Sequence, residues 1–276
     1  MLDSSTIWQV LAGVGIFLVG IRMLEMGLKQ LMGRGFKLFL QKQTGNPVKA
    51  IVGGAFITAL LQSSSAVNFM VLAFVSTGVL SLQNAFALIM GNNLGSTVSG
   101  WIIVTLGFKF NIEVFAFPLI GIAGICWFIF IANTRLQNVC MFLIGFSFIF
   151  IGLGYMNSAI GNEKIQNIFS RFDNSSNGTF LFIGFIITTI TQSSSATVAI
   201  TLSMLHQQLI GFDAAMAVVI GSEVGTSLKL ILGSLDGIAV KKRVSAGNII
   251  YNLITTAIAF GLLQQIAFFI TETMSV

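Results

Sequence analysis

Charge is what this sequence has least of. Asp, Glu, Lys and Arg make up only 8% of its 276 residues, while apolar residues make up 55%. A soluble domain of this length carries roughly 25% charged residues. Too few are present here to coat a water-facing surface, so most of the surroundings must be lipid. The basic excess, a net charge of +5, does not imply a nucleic-acid partner. The basic residues cluster in a few loops, where they orient a chain in a bilayer. Cysteine is almost absent: Cys126 and Cys140 lie in apolar runs without Cys-x-x-Cys spacing and read as small membrane-embedded hydrophobes. Histidine occurs once, as His206 at the end of an apolar segment, where it reads as interfacial. There is no His-Glu-x-x-His, no P-loop lysine and no Gly-x-Ser-x-Gly. His206 also lies more than a turn from Ser193–Ser195 along its own segment, so no nucleophile–base pair is visible and an enzyme is not expected. Nor is an organic cofactor. Residues 1–9 lack a basic stretch and include Asp3, so no cleaved signal peptide is expected, and the apolar run 7–24 stays as a transmembrane helix.

What the sequence does contain is a repeat. Gln62-Ser63-Ser64-Ser65-Ala66 recurs as Gln192-Ser193-Ser194-Ser195-Ala196, offset by 130 positions. Gly91-Asn92-Asn93-Leu94-Gly95-Ser96-Thr97 pairs with Gly221-Ser222-Glu223-Val224-Gly225-Thr226-Ser227 at the same offset, as do Gly54 with Gly184 and Thr58 with Thr188. Two polar elements holding one offset in an apolar chain indicate duplication. The expected halves are residues 1–134 and 135–276.

Hydropathy and turn residues then give the elements. The first half has a span at 6–24, a basic amphipathic stretch at 27–43 suited to lie in the interface, an interrupted apolar segment at 48–79, and spans at 82–106 and 112–132. The second has a span at 136–157, a short amphipathic stretch at 163–172, an interrupted segment at 179–207, and spans at 211–235 and 246–270. Each arm flanking the serines has about 14 residues, roughly 21 Å of helix, against a hydrocarbon core of roughly 30 Å. Neither arm spans alone. The expected fold is therefore an all-α integral membrane protein of two inverted repeats, each with three transmembrane helices and one re-entrant helical hairpin; the alternative is one long helix with serines in its middle. Three spans per half force opposite orientations. With both termini outside, Arg22, Lys29, Arg34, Lys37, Lys42, Lys49, Arg135, Lys241, Lys242 and Arg243 fall inside and only Lys109, Lys164 and Arg171 outside, which satisfies the positive-inside rule. Inverted repeats with broken helices mark many secondary transporters.

The hairpin tips carry the chemistry. A return arm starting at the serines leaves its first backbone N–H groups unpaired. Serine hydroxyls can cap some of them, and the helix dipole adds partial positive charge, so the tip suits an anion. Gln62 and Gln192 end the inward arms, whose carbonyl and amide oxygens suit a cation. Asn92, Asn93, Ser96, Glu223 and Ser227 add oxygens of the kind that hold Na⁺. The glycines of each Gly-x-x-x-Gly either let the helix unwind or let it pack closely. Glu223 stands where the first repeat has Asn93, and Lys229 where it has Ser99. Charges at such depth are functional candidates. Glu223 would bind Na⁺ or a proton, and Lys229 would attract an anion, neutralise Glu223, or snorkel to the cytoplasmic side.

The doubled Gln-Ser-Ser-Ser-Ala, each copy followed by Gly-x-x-x-Gly and two hydroxyl residues, resembles the type II sodium–phosphate cotransporter family and its bacterial relatives, over nearly the whole chain. The resemblance implies sodium-coupled symport of inorganic phosphate across the cell (inner) membrane. Gln62–Ser65 and Gln192–Ser195 would contact phosphate and Na⁺, joined by Thr97 and Thr226 on the substrate; a homodimer is also expected from the family. Asn93 and Thr97 match the family's first-repeat pattern, whereas Glu223 and Ser227 depart from its Gly-x-Asn-x-Gly-Thr-Thr. Another oxyanion, or export of phosphate, is the alternative within transporters. A non-transporting membrane assembly module is the alternative outside them.

Overall fold

The computed structural model describes residues 4–42, 46–109, 113–130, 132–160, 175–235 and 237–274, and these are helical with no strand among them. They form two compact units, Met1–Ala159 and Ile160–Val276. The first contains α1 (Ser4–Lys42), α2 (Pro47–Leu61), α3 (Ser64–Ser76), α4 (Leu82–Ser96), α5 (Val98–Ile102), a π-helical stretch (Ile103–Lys109), α6 (Glu113–Ile129) and α7 (Thr134–Ile160). The second contains α8 (Asn177–Thr191), α9 (Ser194–His206), α10 (Phe212–Ser234), α11 (Ala239–Gly261) and α12 (Leu263–Met274).

The duplication reaches the backbone. Arms α2 and α8 have 15 residues each, and α3 and α9 have 13. Among the described residues, positive φ occurs at Gln62, Gly78, Gln192 and Gln208. These form two pairs, each 130 residues apart. The left-handed Gln62 (φ 52°) and Gln192 (φ 55°) end the inward arms. The left-handed Gly78 and Gln208 follow the return arms.

The interrupted segments are helical hairpins rather than single long helices. Thr188 Oγ1 lies 2.6 Å from Thr197 Oγ1 across the turn; nine residues along one helix would separate them by about 13 Å. In the first unit Asn92 bonds both Thr58 on the inward arm and Asn68 on the return arm. Each inward arm lies directly on the helix that follows the hairpin. A Cβ on Gly91 would stand 2.0 Å from Ile51 O, and one on Gly221 1.9 Å from Leu181 O. The glycines therefore serve close packing. α4 and α10 run unbroken through both Gly-x-x-x-Gly motifs, so the unwinding reading is corrected. The break in the first copy comes later, at Thr97, and α10 has none.

In the first unit α1 and α7 pack antiparallel. Gly13, Gly20 and Gly27 meet Gly152, Gly145 and Asn138 in that order, so the paired positions climb on one helix as they fall on the other. This seven-residue spacing of glycines was in the sequence unread.

Several span boundaries differ from expectation. The stretch 27–42 continues α1 instead of lying separately in the interface. The helix runs unbroken to Lys42, since the lysines, arginine and leucines of that stretch are good helix formers. The stretch 163–172 lies outside the described residues. α6 has 17 residues, short of the roughly 20 that cross a bilayer. The span expected at 246–270 is two helices, α11 and α12, that meet at Leu262, and Lys241–Arg243 lie in α11 rather than in a loop. Five helical runs among the described residues are long and apolar enough to cross a membrane: Ile7–Met32, Leu82–Gly107 (α4, α5 and the π-helical stretch together), Thr134–Ala159, Phe212–Ser234 and Ala239–Gly261. The chain is a multi-pass membrane protein.

Candidate functional site

Each tip is built the same way. The inward arm stops when Gln62 or Gln192 turns left-handed and swings its side-chain amide back over the arm it ends. Gln62 Nε2 donates to Ala59 O, and Gln192 Nε2 to Thr189 O at 2.6 Å. The amide nitrogen thus caps helix carbonyls that have no other intrahelical donor. The return arm starts when Ser63 or Ser193 becomes its N-cap, the hydroxyl accepting from Ala66 N or Ala196 N, both at 3.3 Å. That cap satisfies one amide of the first turn. The N–H groups of Ser64 and Ser65, and of Ser194 and Ser195, precede any intrahelical acceptor. Ser63 and Ser194 are buried, while Ser64, Ser65, Ser193 and Ser195 are half-buried. An oxyanion laid on this end meets amide donors, hydroxyls and the positive end of a helix dipole.

The flanking helix brings a second set of groups to each tip. In the first unit, Ser99 Oγ donates to Gln62 Oε1 at 2.7 Å. Asn92, fully buried, accepts from Thr58 Oγ1 at 2.6 Å and donates to Asn68 Oδ1 at 3.0 Å. This chain of side chains fixes both arms to α4. Ser96 Oγ donates to Asn93 O at 2.7 Å, and Thr97 Oγ1 to Leu94 O at 2.8 Å.

In the second unit, Lys229 Nζ donates to Gln192 O at 2.8 Å. Lys229 therefore reaches the tip instead of snorkelling away from it. Thr226 Oγ1 donates to Glu223 O at 2.7 Å. Asn252 of α11 donates to Glu223 O at 3.1 Å and to Ser227 Oγ at 2.8 Å, holding the Glu223 turn of α10 against its neighbour.

These bonds sort the oxygens chemically. A hydroxyl that donates to a carbonyl of its own helix keeps only acceptor lone pairs. Ser96, Thr97 and Thr226 are in that state, which suits a cation better than an oxyanion. The carbonyls at the inward-arm ends have the same bias. Among the described residues there is no group of three or more His, Cys, Asp or Glu side chains; a cation here would rest on neutral oxygens, with Glu223 the one carboxylate of the set.

The structure thus gathers Gln62, Ser63, Ser64 and Ser65 with Ser99, and Gln192, Ser193, Ser194 and Ser195 with Lys229. Asn68 and Asn252 were missed in the sequence. Their counterparts at the 130-residue offset are Val198 and Ile122, so a search by repetition passes over them. The one available signal was a lone asparagine in an apolar run.

A duplicated helical hairpin whose tip offers amides and hydroxyls on one side and carbonyl oxygens on the other, in a multi-pass helical membrane protein, is the architecture of a secondary transporter. The sequence comparisons agree. Two successive stretches, residues 16–158 and 157–273, match the Na+/Pi-cotransporter family, and the chain belongs to that family, one of transporters and not of enzymes. It is 29% identical over 259 residues to the uncharacterized protein YqeW of Bacillus subtilis, covering 93% of this chain and 82% of that protein. It is 24% identical over 272 residues to the protein named "Putative inorganic phosphate export protein YjbB" of Escherichia coli, covering 98% of this chain. It spans 48% of that relative's length. A 61-residue stretch is 38% identical to the sodium-dependent phosphate transport protein 2A of Oryctolagus cuniculus, covering 22% of this chain and 10% of that protein. No solved structure matches the chain significantly.

Proposed function

We propose that this chain carries inorganic phosphate across the cell membrane coupled to sodium, and that the Gln-Ser-Ser-Ser tips hold the ions. The observation that carries the reading is the repeated tip, a return arm capped by its own serine beside an inward arm ending in carbonyls. At each tip phosphate would take the serine side, Ser63–Ser65 in the first unit and Ser193–Ser195 in the second. Sodium, as co-substrate, would take oxygens of Gln62, Asn93 and Ser96 in the first unit, and in the second Ser227, with Glu223 as the charged candidate. Sodium binding first would lower the repulsion an anion meets on entering a site of low dielectric. Because each inward arm is packed backbone to backbone on the next helix, the hairpin and that helix would travel as one body between the two faces.

The opposite orientation of the halves belongs to the same reading. It is supported by α1 and α7, the first helix of each half, lying antiparallel. With both hairpins re-entrant, cysteines introduced at Ser4 and Thr273 should both react with a membrane-impermeant thiol reagent added outside intact cells. Labelling of only one would rule out this topology.

Transport itself is tested with radiolabelled phosphate in proteoliposomes. An inward Na⁺ gradient should drive accumulation above equilibrium, and its dissipation should abolish it. YjbB's name points to export. The same carrier runs in reverse when the gradient is reversed, so an outward gradient should empty preloaded vesicles. Absence of phosphate movement under both gradients, in protein shown to be folded, would leave another oxyanion as the substrate.

A further inference from the structure

We propose that Lys229 is a tethered replacement for a sodium ion at the second hairpin tip, so that this tip needs one coupling ion fewer than the first. The proposal rests on reading the tips as the transport site. Positions 99 and 229 are equivalent at the 130-residue offset, and in each copy the side chain there reaches the glutamine that ends the inward arm. Ser99 Oγ donates to Gln62 Oε1 at 2.7 Å. Lys229 Nζ donates to Gln192 O at 2.8 Å. The residue reached is the same in both copies, but Ser99 meets its side-chain amide oxygen and Lys229 its backbone carbonyl, and only Lys229 can bring charge.

Gln192 O belongs to the C-terminal end of α8. The last carbonyls of a helix have no intrahelical donor, and the dipole leaves partial negative charge there. In transporters with broken helices this end coordinates the coupling cation. In the second copy an ammonium already sits at hydrogen-bond distance from that oxygen. In the first copy Ser99 brings a neutral hydroxyl, and brings it to Gln62 Oε1, so positive charge at that arm end would come from solution. Glu223 in place of Asn93 adds a carboxylate to the same copy, and the two replacements cancel in formal charge. Because the ammonium is covalently held, it neutralises the arm end in every state of the cycle and carries no sodium with it.

The test uses the purified full chain and the variants Lys229→Ser, which restores the first-copy residue, and Lys229→Arg, which keeps the charge. Melting temperature is measured without phosphate as Na⁺ replaces choline at constant ionic strength, up to about 300 mM, the stabilisation growing with ion occupancy. Lys229→Ser should melt several degrees below the parent in choline, regain most of that loss in Na⁺, and depend on Na⁺ more steeply than the parent. Lys229→Arg should follow the parent. In proteoliposomes, the ratio of radiolabelled sodium to phosphate moved should rise by one in Lys229→Ser. A depression identical in Na⁺ and choline, or none in either, would overturn the proposal. If Lys229→Ser does not fold in any salt, Lys229→Gln, a donor without charge, takes its place. Since the melting series contains no phosphate, sodium rescue without phosphate flux would sink the substrate reading and leave the cation site standing.

Discussion

Replacing Ser64 or Ser194 with leucine takes phosphate uptake to background while the protein still inserts and folds. Both residues open a return arm, one position after the capping serine. Leucine is a good helix former, so the arm itself is not lost. Ser64 is half-buried and Ser194 only 7% exposed; the added volume at Ser194 costs about 1–3 kcal/mol of overpacking. What is lost is the surface on which an oxyanion would rest. The leucine side chain covers the first-turn amides and removes a hydroxyl donor. Each hydrogen bond to a charged group is worth about 1.5–3 kcal/mol, so Ser64→Ala or Ser194→Ala alone should weaken phosphate binding by about 10-fold or more. Uptake is measured in proteoliposomes at matched protein density, with circular dichroism and size-exclusion profiles as the check on folding. Normal uptake by both leucine variants would mean that the tips are not the site.

The largest effect on stability is expected at the glycines between inward arm and flanking helix. In Gly91→Ala and Gly221→Ala the new Cβ would fall 2.0 Å from Ile51 O and 1.9 Å from Leu181 O. Both obstacles are backbone, and a carbonyl cannot rotate aside as a side chain can. The helices must separate along their length, which also pulls on the hydrogen bonds that tie each tip to its neighbour. We expect a loss of about 3 kcal/mol or more, at the upper end of overpacking penalties, seen as a lower melting temperature in detergent and a lower yield. Gly15→Ala is the control. Nothing lies within 4 Å of a Cβ built there, and alanine in a helix interior is favoured over glycine by about 1 kcal/mol. Its melting temperature should be unchanged or raised. Equal behaviour of the three variants would contradict the close packing of the hairpins.

Much of this architecture was legible because lipid simplifies the reading. Scarce charge gave the solvent, and a polar interruption in an apolar run too short on either side gave the hairpins, whose bounds at 47–76 and 177–206 lie within three residues of the expected ones. Other features left no such mark. A left-handed backbone is usually announced by glycine or asparagine; at Gln62 and Gln192 it is imposed by the reversal and held by the amide bond back to the arm. The basic residues after Leu28 suggested a change of environment along α1, but charge alone does not end a helix, and the helix runs on to Lys42. The glycines of Gly91–Gly95 were compatible with two uses, and only the distance to the opposite backbone separates them. Asn68 and Asn252 escaped because each matters in one copy only.

The matched registers of the two copies have a consequence for experiment. The arm lengths and the left-handed positions of the two hairpins agree residue for residue at an offset of 130, so the chain contains its own reference. A replacement made at Ser99 has its counterpart at Lys229, and one at Asn93 has its counterpart at Glu223, the latter pair within helices that are unbroken in both copies. Comparing such a pair within one molecule separates what a side chain does from what its position does, without recourse to a second protein.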